Sequence, residues 1–328
     1  MTARILDQLV GDADSFWSYW RNRPACFTPG DGLSSPFTLT DLDAALASGL
    51  FREPYIEMWR DGRRLPVRDF ASSRSVGLET PGGFADEARI HALLDDGATM
   101  LLRCIDQWHG PTRDMLRSLA GELGRAVEAF YFVTPAGQPG LPLHRDDADV
   151  LVLQVAGSKS WNIHEGPAGA SWRAGRVTAD EPQPAELFRT VLQPGQVLYI
   201  PRGFAHCATG QDGLSAHLSL TVREIGVPDL SASLQEYALT DGDAGIDSGP
   251  LPLSDDAITA AAKTLLETAH RQLAALTPDA LVAHARQRRL ARMPQPSPGL
   301  SLADLASSWP AAAPSGHDEH DGHDGPGR

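Results

Sequence analysis

Two histidines and one aspartate have the residue types and the spacing of a metal site. His144 and Asp146 are one residue apart in GLPLHRDDADVLVLQ, and His206 ends PGQVLYIPRGFAH. Because alternate residues of a strand point to the same face, the first two side chains can share one ion. Two imidazoles and one carboxylate, with coordination positions left open, are the donor set of non-haem Fe(II) oxygenases. The pattern therefore predicts an Fe(II) site at these three residues.

Lys159 is a fourth residue that suggests chemistry. It follows Gly157 and Ser158 at the start of a strand-like run, and Trp161 lies two residues later. A lysine that points into a barrel needs an anionic partner, because a buried ammonium without one is costly. The dicarboxylate 2-oxoglutarate can supply it, with its 2-oxo acid at the metal and its far carboxylate at Lys159. The alternative is an exposed lysine at a strand edge.

The remaining histidines have weaker settings. The C-terminal run SGHDEHDGHDGPGR places His317, His320 and His323 beside acidic residues. This run can bind a metal weakly, but it has no strand to hold its ligands, and a solvated tail is the preferred interpretation. His164 and His217 are interpreted as ordinary hydrogen-bonded residues.

Candidate substrate contacts flank the predicted metal ligands: Arg145, Asp147, Arg202 and Cys207.

Length and composition restrict the protein class. The chain has 328 residues, 42% of them hydrophobic, and a formal net charge of −14. The charge disfavours nucleic-acid binding and mildly favours a basic peptide partner. Three scattered cysteines without a CxxC pair, and no signal-peptide or membrane-spanning pattern, predict a cytoplasmic protein with reduced thiols.

The predicted elements favour a β-barrel core with helices added around it. Helices are expected at 14–21, 40–48 and 111–124. Short strands with Gly and Pro between them are typical of an all-β sandwich or barrel. These strands are expected at 126–134, 150–155, 160–164, 190–192, 196–200 and 217–223. The fold class is therefore predicted as mainly β with helical additions.

The C-terminal third divides by composition. Residues 1–228 are assigned to the catalytic domain, and the Gly-, Asp-, Ser- and Pro-rich stretch 229–253 to a linker. Residues 254–292 have the apolar spacing of two amphipathic helices, which must dock on the barrel or pair with a second copy. Residues 293–328 are low in complexity and expected to be disordered.

These stretches resemble the JmjC-type cupin hydroxylases, in particular the ribosomal-oxygenase branch. The likeness is carried by GLPLHRDDADVLVLQVAGSKSWNIH and PGQVLYIPRGFAH, extends to FVTPAG and SAHLS, and covers roughly residues 15–225. It implies a double-stranded β-helix barrel that uses Fe(II), 2-oxoglutarate and O2. It also implies that His144, Asp146 and His206 are the iron ligands.

The resemblance further implies roles around the cosubstrate. Lys159 would pair with the C5 carboxylate of 2-oxoglutarate, Thr221 would lie near it, and Phe132 would line its pocket. Family members often have Asn and Tyr at the positions of Phe130 and Phe132. Two phenylalanines cannot donate those hydrogen bonds, so the cosubstrate's orientation or the choice of substrate is expected to differ. The two C-terminal helices resemble the family's dimerisation region, which implies a homodimer.

The implied function is that of a 2-oxoglutarate-dependent dioxygenase. It would hydroxylate an amino-acid side chain in a protein or peptide, consuming O2 and releasing succinate and CO2. The alternatives are a hydroxylase of a small molecule or free amino acid, an N-methyl demethylase, and a cupin isomerase or dioxygenase with other metal chemistry. A non-catalytic cupin that serves as a binding or scaffold protein is the rival from another class. The intact ligand set together with Lys159 argues against this last alternative.

Overall fold

The structure is a computed structural model. The residues that it describes are 4–30, 33–169, 172–239, 254–295 and 301–308. The chain divides into two compact units, Met1–Pro294 and Gln295–Arg328. None of the helices in the described ranges is long and apolar enough to cross a membrane.

The strands account for most of the first unit. In chain order they are β1 (Ala25–Phe27), β2 (Ile56–Arg60), β3 (Arg63–Arg64), β4 (Ala71–Ser72), β5 (Phe84–Ala85), β6 (Thr99–Leu102), β7 (Val127–Thr134), β8 (His144–Arg145), β9 (Asp149–Ala156), β10 (Lys159–His164), β11 (Gly175–Arg176), β12 (Glu186–Leu192), β13 (Val197–Ile200), β14 (Ala205–Gly210) and β15 (Ser215–Val222).

Helices precede, interrupt and follow the strands. They are α1 (Ile5–Val10), α2 (Ala13–Phe16), α3 (Leu39–Ala47), α4 (Val67–Phe70), α5 (Glu87–Asp95), α6 (Ile105–Trp108), α7 (Gly110–Leu123), α8 (Val227–Leu239), α9 (Asp255–Ala275), α10 (Pro278–Ala291) and α11 (Leu302–Ser308).

Two antiparallel sheets form the barrel. The large sheet has the order β1-β13-β9-β15-β7-β6-β2-β3, and the small sheet has the order β11-β8-β14-β10-β12. Their inner faces meet in an apolar cluster that joins Val150 and Val152 of the large sheet to Trp161 and Ile163 of the small sheet. The predicted mainly β fold with helical additions is confirmed, and the two facing sheets are the double-stranded β-helix of a cupin.

Strand β15 is buried along its whole length, because both faces of the large sheet are covered. Leu218 and Leu220 point away from the barrel into the main core, where they join helix residues such as Leu116. The alternate residues His217 and Thr221 point inward and line a cavity between the sheets. Because alternate side chains of a strand point to opposite faces, β15 has an apolar outer face and a polar inner face.

The aromatic residues near the N-terminus anchor the chain on the large sheet. Phe16 is fully buried, and Trp20 stacks on Tyr199 with ring centroids 5.7 Å apart. The helix predicted at 14–21 is shorter in the structure, ending at Phe16, and the chain continues in turns. Arg21 has a φ of 57° there, in the left-handed region that a helix does not use.

Part of the predicted linker is helical. The linker was predicted at 229–253, but α8 occupies Val227–Leu239, and the rest of that stretch lies outside the described residues. The composition of the whole stretch did not indicate this helix, because the Gly-rich residues that suggest a linker all follow it. Pro228 does not prevent the helix, since proline is tolerated in a first turn. Helix α8 packs against α9 and α10. Helix α8 therefore begins within five residues of the end of β15, without an extended connection.

One carboxylate ties α10 to the barrel. Glu224, just after β15, accepts hydrogen bonds from Arg286 of α10 at 2.9 and 3.1 Å. It also accepts hydrogen bonds from Arg125 at 2.9 Å and from Arg21 at 2.7 Å. Met293, just beyond α10, is part of the main core. The helical pair predicted at 254–292 thus docks on the barrel through α10.

The prediction of a disordered tail from residue 293 is wrong in part. Residues Leu302–Ser308 form α11, whose first turn is capped by the Ser301 hydroxyl, which accepts from the backbone N–H of Ala303 and of Asp304. Ala and Leu are good helix formers, so a composition that resembles a low-complexity segment also suits a short capped helix. The histidines at 317–323 lie outside the described residues.

Candidate active site

The structure brings the three predicted metal ligands together. His144 lies on β8, Asp146 directly follows that strand, and His206 is paired with His144 on the adjacent strand β14. One ligand atom from each of the three side chains lies within 4.8 Å of the other two. The Asp146 carboxylate is 3.7 Å from Nε2 of His144 and 3.6 Å from Nε2 of His206. The described residues contain no second such group.

Backbone carbonyls fix the orientation of both imidazoles. The Nδ1 atom of His144 is 2.8 Å from the carbonyl oxygen of Pro142, and Nδ1 of His206 is 3.0 Å from that of Phe204. A carbonyl can only accept, so each Nδ1 carries the proton and each Nε2 keeps its lone pair. Hydrogen bonds of this kind hold metal-binding histidines in one tautomer and orientation. Both free lone pairs therefore belong to the nitrogens that face Asp146.

Burial keeps His206 in its metal-binding form. Removal from water, followed by the proximity of His144, lowers the pKa of His206 to about 4. The imidazole is therefore neutral at pH 7, as a ligand must be. Asp146 is partly exposed, and its backbone oxygen accepts a hydrogen bond from Gly203 N at 3.0 Å. The turn before β14 is thus linked to the end of β8, which keeps the three ligands on one rigid corner of the barrel.

The ligands face a cavity of about 200 Å³ between the two sheets. Its walls are mainly apolar and aromatic, with a few hydroxyl and cationic groups. The lining residues are Leu101, Arg103, Phe130, Phe132, Gly140, Leu141, His144, Asp146, Val150, Val152, Lys159, Trp161, His206, Cys207, Ala208, His217, Ser219, Thr221 and Arg223. A concave, largely apolar site with a few convergent polar groups is the usual form of a small-molecule site.

Lys159 is buried in the wall of this cavity, at 1% exposure. Its Nζ donates to Thr134 Oγ1 at 2.9 Å and approaches His217 Nδ1 to 3.5 Å. Burial lowers the pKa of Lys159 to about 7. No carboxylate of the described residues forms an ion pair with it. The alternative of an exposed lysine at a strand edge is therefore wrong, and the ammonium lacks the anion that its burial calls for.

The other predicted cosubstrate residues also line the cavity. Phe132 stacks on His217 with ring centroids 4.9 Å apart and an interplanar angle of 8°. Phe130 and Thr221 lie on the same wall. Their proximity to the cosubstrate stays a prediction. The two phenyl rings add apolar surface where the resemblance implies hydrogen-bond donors in other family members.

His217 is the residue that the sequence interpretation underrated. It is 2% exposed, lies beside Lys159 and forms part of the cavity wall. Burial, followed by the charge of Lys159, holds the pKa of His217 well below its ordinary value. The signal was the alternation Ser215, His217, Ser219, Thr221, which places four polar side chains on one face of a strand whose other face is apolar.

The four residues flanking the ligands have different environments. The Arg145 guanidinium is buried and donates to the carbonyl oxygens of Glu165 and Gly203 at 3.0 and 2.7 Å, a structural role. Asp147 and Arg202 form an exposed ion pair. Only Cys207 belongs to the cavity wall. Arg103 and Arg223, which were not predicted, also line the cavity.

Part of the chain is similar in sequence to known proteins. Residues 103–230 match the family model of the JmjC domain. Human ribosomal oxygenase 1 is 30% identical over 193 residues, which are 56% of this chain and 28% of that protein. Bovine ribosomal oxygenase 2 is 28% identical over 218 residues, 63% of this chain and 44% of that protein. The chain thus spans less than half the length of these two relatives.

A solved structure shows the same fold. YcfD, a ribosomal oxygenase from Escherichia coli in complex with cobalt and 2-oxoglutarate, superposes with a TM-score of 0.54 at 18% identity. The match covers 92% of this chain and 78% of YcfD. At that identity the likeness establishes the fold alone. The matched domain, the barrel and the relatives agree: residues 103–230 of this chain match a JmjC domain, and the chain resembles the ribosomal oxygenases.

Proposed function

We propose that the protein is an Fe(II)- and 2-oxoglutarate-dependent oxygenase that hydroxylates an amino-acid side chain in a protein or peptide. One observation carries the proposal: the His144, Asp146 and His206 group faces the same cavity as the ammonium of Lys159, which has no ion-pair partner among the described residues. A metal-binding donor set and a buried cation are what a 2-oxo acid with a distant carboxylate requires. The ribosomal oxygenases among the relatives support a protein substrate.

The donor set fits Fe(II). Two neutral imidazoles and one carboxylate occupy a single corner of the barrel, with Nε2 lone pairs fixed by hydrogen bonds at Nδ1. Three protein ligands leave positions open for other groups, as in the facial triad of non-haem iron oxygenases. When bound, Fe(II) with O2 and 2-oxoglutarate supplies the oxidation of an unactivated C–H bond, releasing succinate and CO2.

The chain's own residues bind and orient. Lys159 would hold the far carboxylate of 2-oxoglutarate, and Thr134, which already accepts a hydrogen bond from Nζ at 2.9 Å, positions the ammonium. Phe132 and Trp161 surround this end of the cavity with aromatic surface and exclude water. In such a low-dielectric setting an ion pair is stronger than in water. The resemblance also predicts a contact of Thr221 with the cosubstrate, although Thr221 pairs with Glu128 and so lies nearer to Arg223 than to Lys159.

We also propose a homodimer formed through α9. Apolar side chains on this helix remain exposed in one chain, whereas its only buried residue is Thr268. The exposed residues are Ile258, Leu265, Leu266 and Leu273, at 43, 45, 61 and 37% exposure. An apolar stripe of this kind on an amphipathic helix is typical of an interaction surface.

An anaerobic optical titration tests the enzyme proposal without knowledge of the substrate. Protein is loaded with Fe(II) and then with 2-oxoglutarate, and the metal-to-ligand charge-transfer band of a chelated 2-oxo acid is recorded. We expect a band in the wild-type protein, its loss in His144→Ala and in His206→Ala, and its retention in His91→Ala, which changes an exposed histidine on α5. Folded protein that binds Fe(II) but gives no band would contradict the proposal.

A further inference from the structure

The wall of the cavity carries a second cationic region. Arg103 and Arg223 line the cavity together with Lys159, whereas Asp146 is the only carboxylate among the described lining residues. Asp146 is part of the predicted metal site and is not free to pair with a substrate. The interior of the site is therefore cationic, although the whole chain has a net charge of −14. The charge of the surface and the charge of the site have opposite signs.

The two arginines lie towards the end of the large sheet where β7 begins. Arg103 directly follows β6, whose last residue, Leu102, pairs with Tyr131, so Arg103 lies level with Phe130. Arg223 directly follows β15, and its backbone N–H donates to the carbonyl oxygen of Ala126. Both side chains line the cavity, and both interact electrostatically with Cys104.

Lys159 lies at the opposite end of β7. Its Nζ donates a hydrogen bond to Thr134, the last residue of the strand. Arg223 instead donates to Glu128, the second residue of the same strand. At about 3.3 Å per residue, the backbone between Glu128 and Thr134 spans about 20 Å. This length exceeds that of a five-carbon dicarboxylate. A cosubstrate held at Lys159 therefore leaves the arginine end of the cavity to another molecule.

The glutamates beside these arginines leave some of the guanidinium N–H donors unpaired. Arg223 gives only its Nε to Glu128, at 3.1 Å, and its Nη atoms have no hydrogen-bond partner in the described part of the chain. Arg103 donates to Glu57 at 2.7 and 3.2 Å. Glu57 also pairs with Arg64 at 3.6 Å, so one carboxylate is shared by two guanidiniums. Donors and positive charge remain for a ligand.

We infer that the group presented to this site for oxidation belongs to a carboxylate-bearing substrate, whose carboxylate is bound by Arg103 and Arg223. This inference deepens the proposed function and rests on it. Guanidinium groups bind carboxylates through parallel N–H donors, which sets orientation as well as affinity. A lysine or arginine side chain would meet like charges there, because the nearby carboxylates of Glu57 and Glu128 are already paired with arginines. The acidic surface had favoured a basic peptide, but the cavity favours an acidic group.

The carboxylate can come from an acidic side chain of a peptide or from a free amino acid. Equilibrium dialysis under anaerobic conditions, with protein loaded with Fe(II) and 2-oxoglutarate, separates the two sources. The probes are blocked pentapeptides of Gly and Ala with Asp, Glu, Asn, Lys or Arg at the centre, and free aspartate and glutamate. We expect the acidic peptides to bind at least about tenfold more tightly than the basic ones. Tighter binding of the free amino acids would assign the small-molecule source.

Variants test the two arginines directly. Arg223→Gln leaves Glu128 partly exposed to water, so its fold is expected to survive, and it should weaken binding of the best acidic probe by about tenfold or more. Arg223→Lys should restore part of the affinity. The double variant E57Q/R103Q removes both members of the other pair and should have a similar effect. Arg189→Gln removes the same charge at an exposed position on β12 and should change nothing.

Basic peptides that bind as tightly as acidic ones would overturn the inference, as would acidic binding that is insensitive to Arg223→Gln and E57Q/R103Q. Failure of every carboxylate probe in the millimolar range would do the same. The charge-transfer band, recorded first on the same sample, distinguishes failure of the proposed function from failure of the inferred substrate class. An absent band means that the proposed function fails, whereas a band without carboxylate binding means that only the substrate class is wrong.

Discussion

The Nζ atom of Lys159 lies 2.9 Å from Oγ1 of Thr134, so one hydrogen bond joins the small sheet to the large sheet inside the barrel. The only other polar neighbour within hydrogen-bond distance among the described residues is Nδ1 of His217, at 3.5 Å. The ammonium is thus oriented by two neutral acceptors and neutralised by neither. Its protonation should depend on whether an anion is present.

Binding of 2-oxoglutarate should weaken as the pH rises. In the unloaded protein burial lowers the pKa of Lys159 from 10.5 to about 7, so the cation is present below pH 7 and lost above it. A bound carboxylate raises that pKa again, so binding takes up a proton in the range above pH 7. The affinity should then fall by up to about tenfold per pH unit. Anaerobic titration from pH 6.5 to 9 measures this slope.

Lys159→Met is the control for that slope. Methionine keeps the length and the apolar stem but has no charge, so 2-oxoglutarate should bind more weakly and the pH dependence above 7 should disappear. Fe(II) binding should be unchanged, because the metal ligands lie on other strands. A slope that persists in Lys159→Met would assign the titration to another group.

The same substitution should stabilise the unloaded protein. A folded-state pKa of about 7, against 10.5 in the unfolded chain, means that the folded state binds fewer protons between these values. Lysine burial therefore costs stability at neutral pH, and the cost diminishes as the pH rises towards 10.5. Lys159→Met should raise the free energy of unfolding at pH 7 by about 1–3 kcal/mol. Urea unfolding without metal or cosubstrate measures the difference.

His217 should act as a positioning residue for Lys159. His217→Leu removes the acceptor beside Nζ and should weaken 2-oxoglutarate binding by about tenfold, the effect of losing one hydrogen bond to a charged group. His217→Asn places an amide oxygen near the position of Nδ1 and should retain most of the affinity. If the two variants lose affinity equally while Fe(II) binding is intact, the role of the acceptor is refuted.

Glu224 should make a large contribution to stability. Burial alone would raise its pKa, but hydrogen bonds led by that from Arg286 hold the pKa of Glu224 well below its ordinary value of 4.5. Its side chain is 9% exposed. Glu224→Gln leaves the surrounding guanidiniums without their shared anion and should lower the free energy of unfolding by about 3 kcal/mol at pH 7. Glu186→Gln, in an exposed pair with Arg189, is the matched control and should have little effect.

The pH profile of that loss has a definite sign. A depressed folded-state pKa contributes stability that is fully present above the unfolded value near 4.5 and is lost as the pH falls below it. The wild-type protein and Glu224→Gln should therefore converge in stability under acid conditions. A difference that is constant from pH 7 to pH 3 would mean that the charge of Glu224 is not the cause.

The homodimer through α9 should be sensitive to a charge on its exposed stripe. Light scattering after size exclusion is expected to give twice the mass of one chain for the wild-type protein. Leu266→Glu, at a position 61% exposed, should shift the protein to monomer without unfolding it. Leu78→Glu changes an exposed leucine outside this helix and should leave the dimer intact. A wild-type monomer at working concentration would contradict the proposal.

The metal-binding residues were predictable from sequence because their placement is local. His144 and Asp146 are one residue apart, and His206 follows a strand and a tight turn that the sequence indicates clearly. The pairing of His206 with His144 requires only that two neighbouring strands align. Lys159 was predictable for the same reason, since a strand after Gly157-Ser158 decides which way it points.

The arginine contacts were not predictable in this way. Arg21, Arg125 and Arg286 reach Glu224 from three distant parts of the chain, and none of them has a local pattern that indicates the meeting. Helix α8 was missed because the composition of residues 240–253 was extended to the residues before them. His217 was underrated because its importance depends on Lys159, which approaches it from the other sheet.

The order of the large sheet limits how the domain can be cut. Strand β13 is flanked by β1, and β7 by β6, and both flanking strands precede residue 103, where the match to the JmjC domain begins. A fragment of residues 103–230 would leave β7 and β13 with bare rows of N–H and C=O groups along two strands that are largely apolar. Unprotected edges of this kind recruit other chains and promote aggregation. The N-terminal strands thus cover the edges of the barrel strands and prevent them from pairing with other chains.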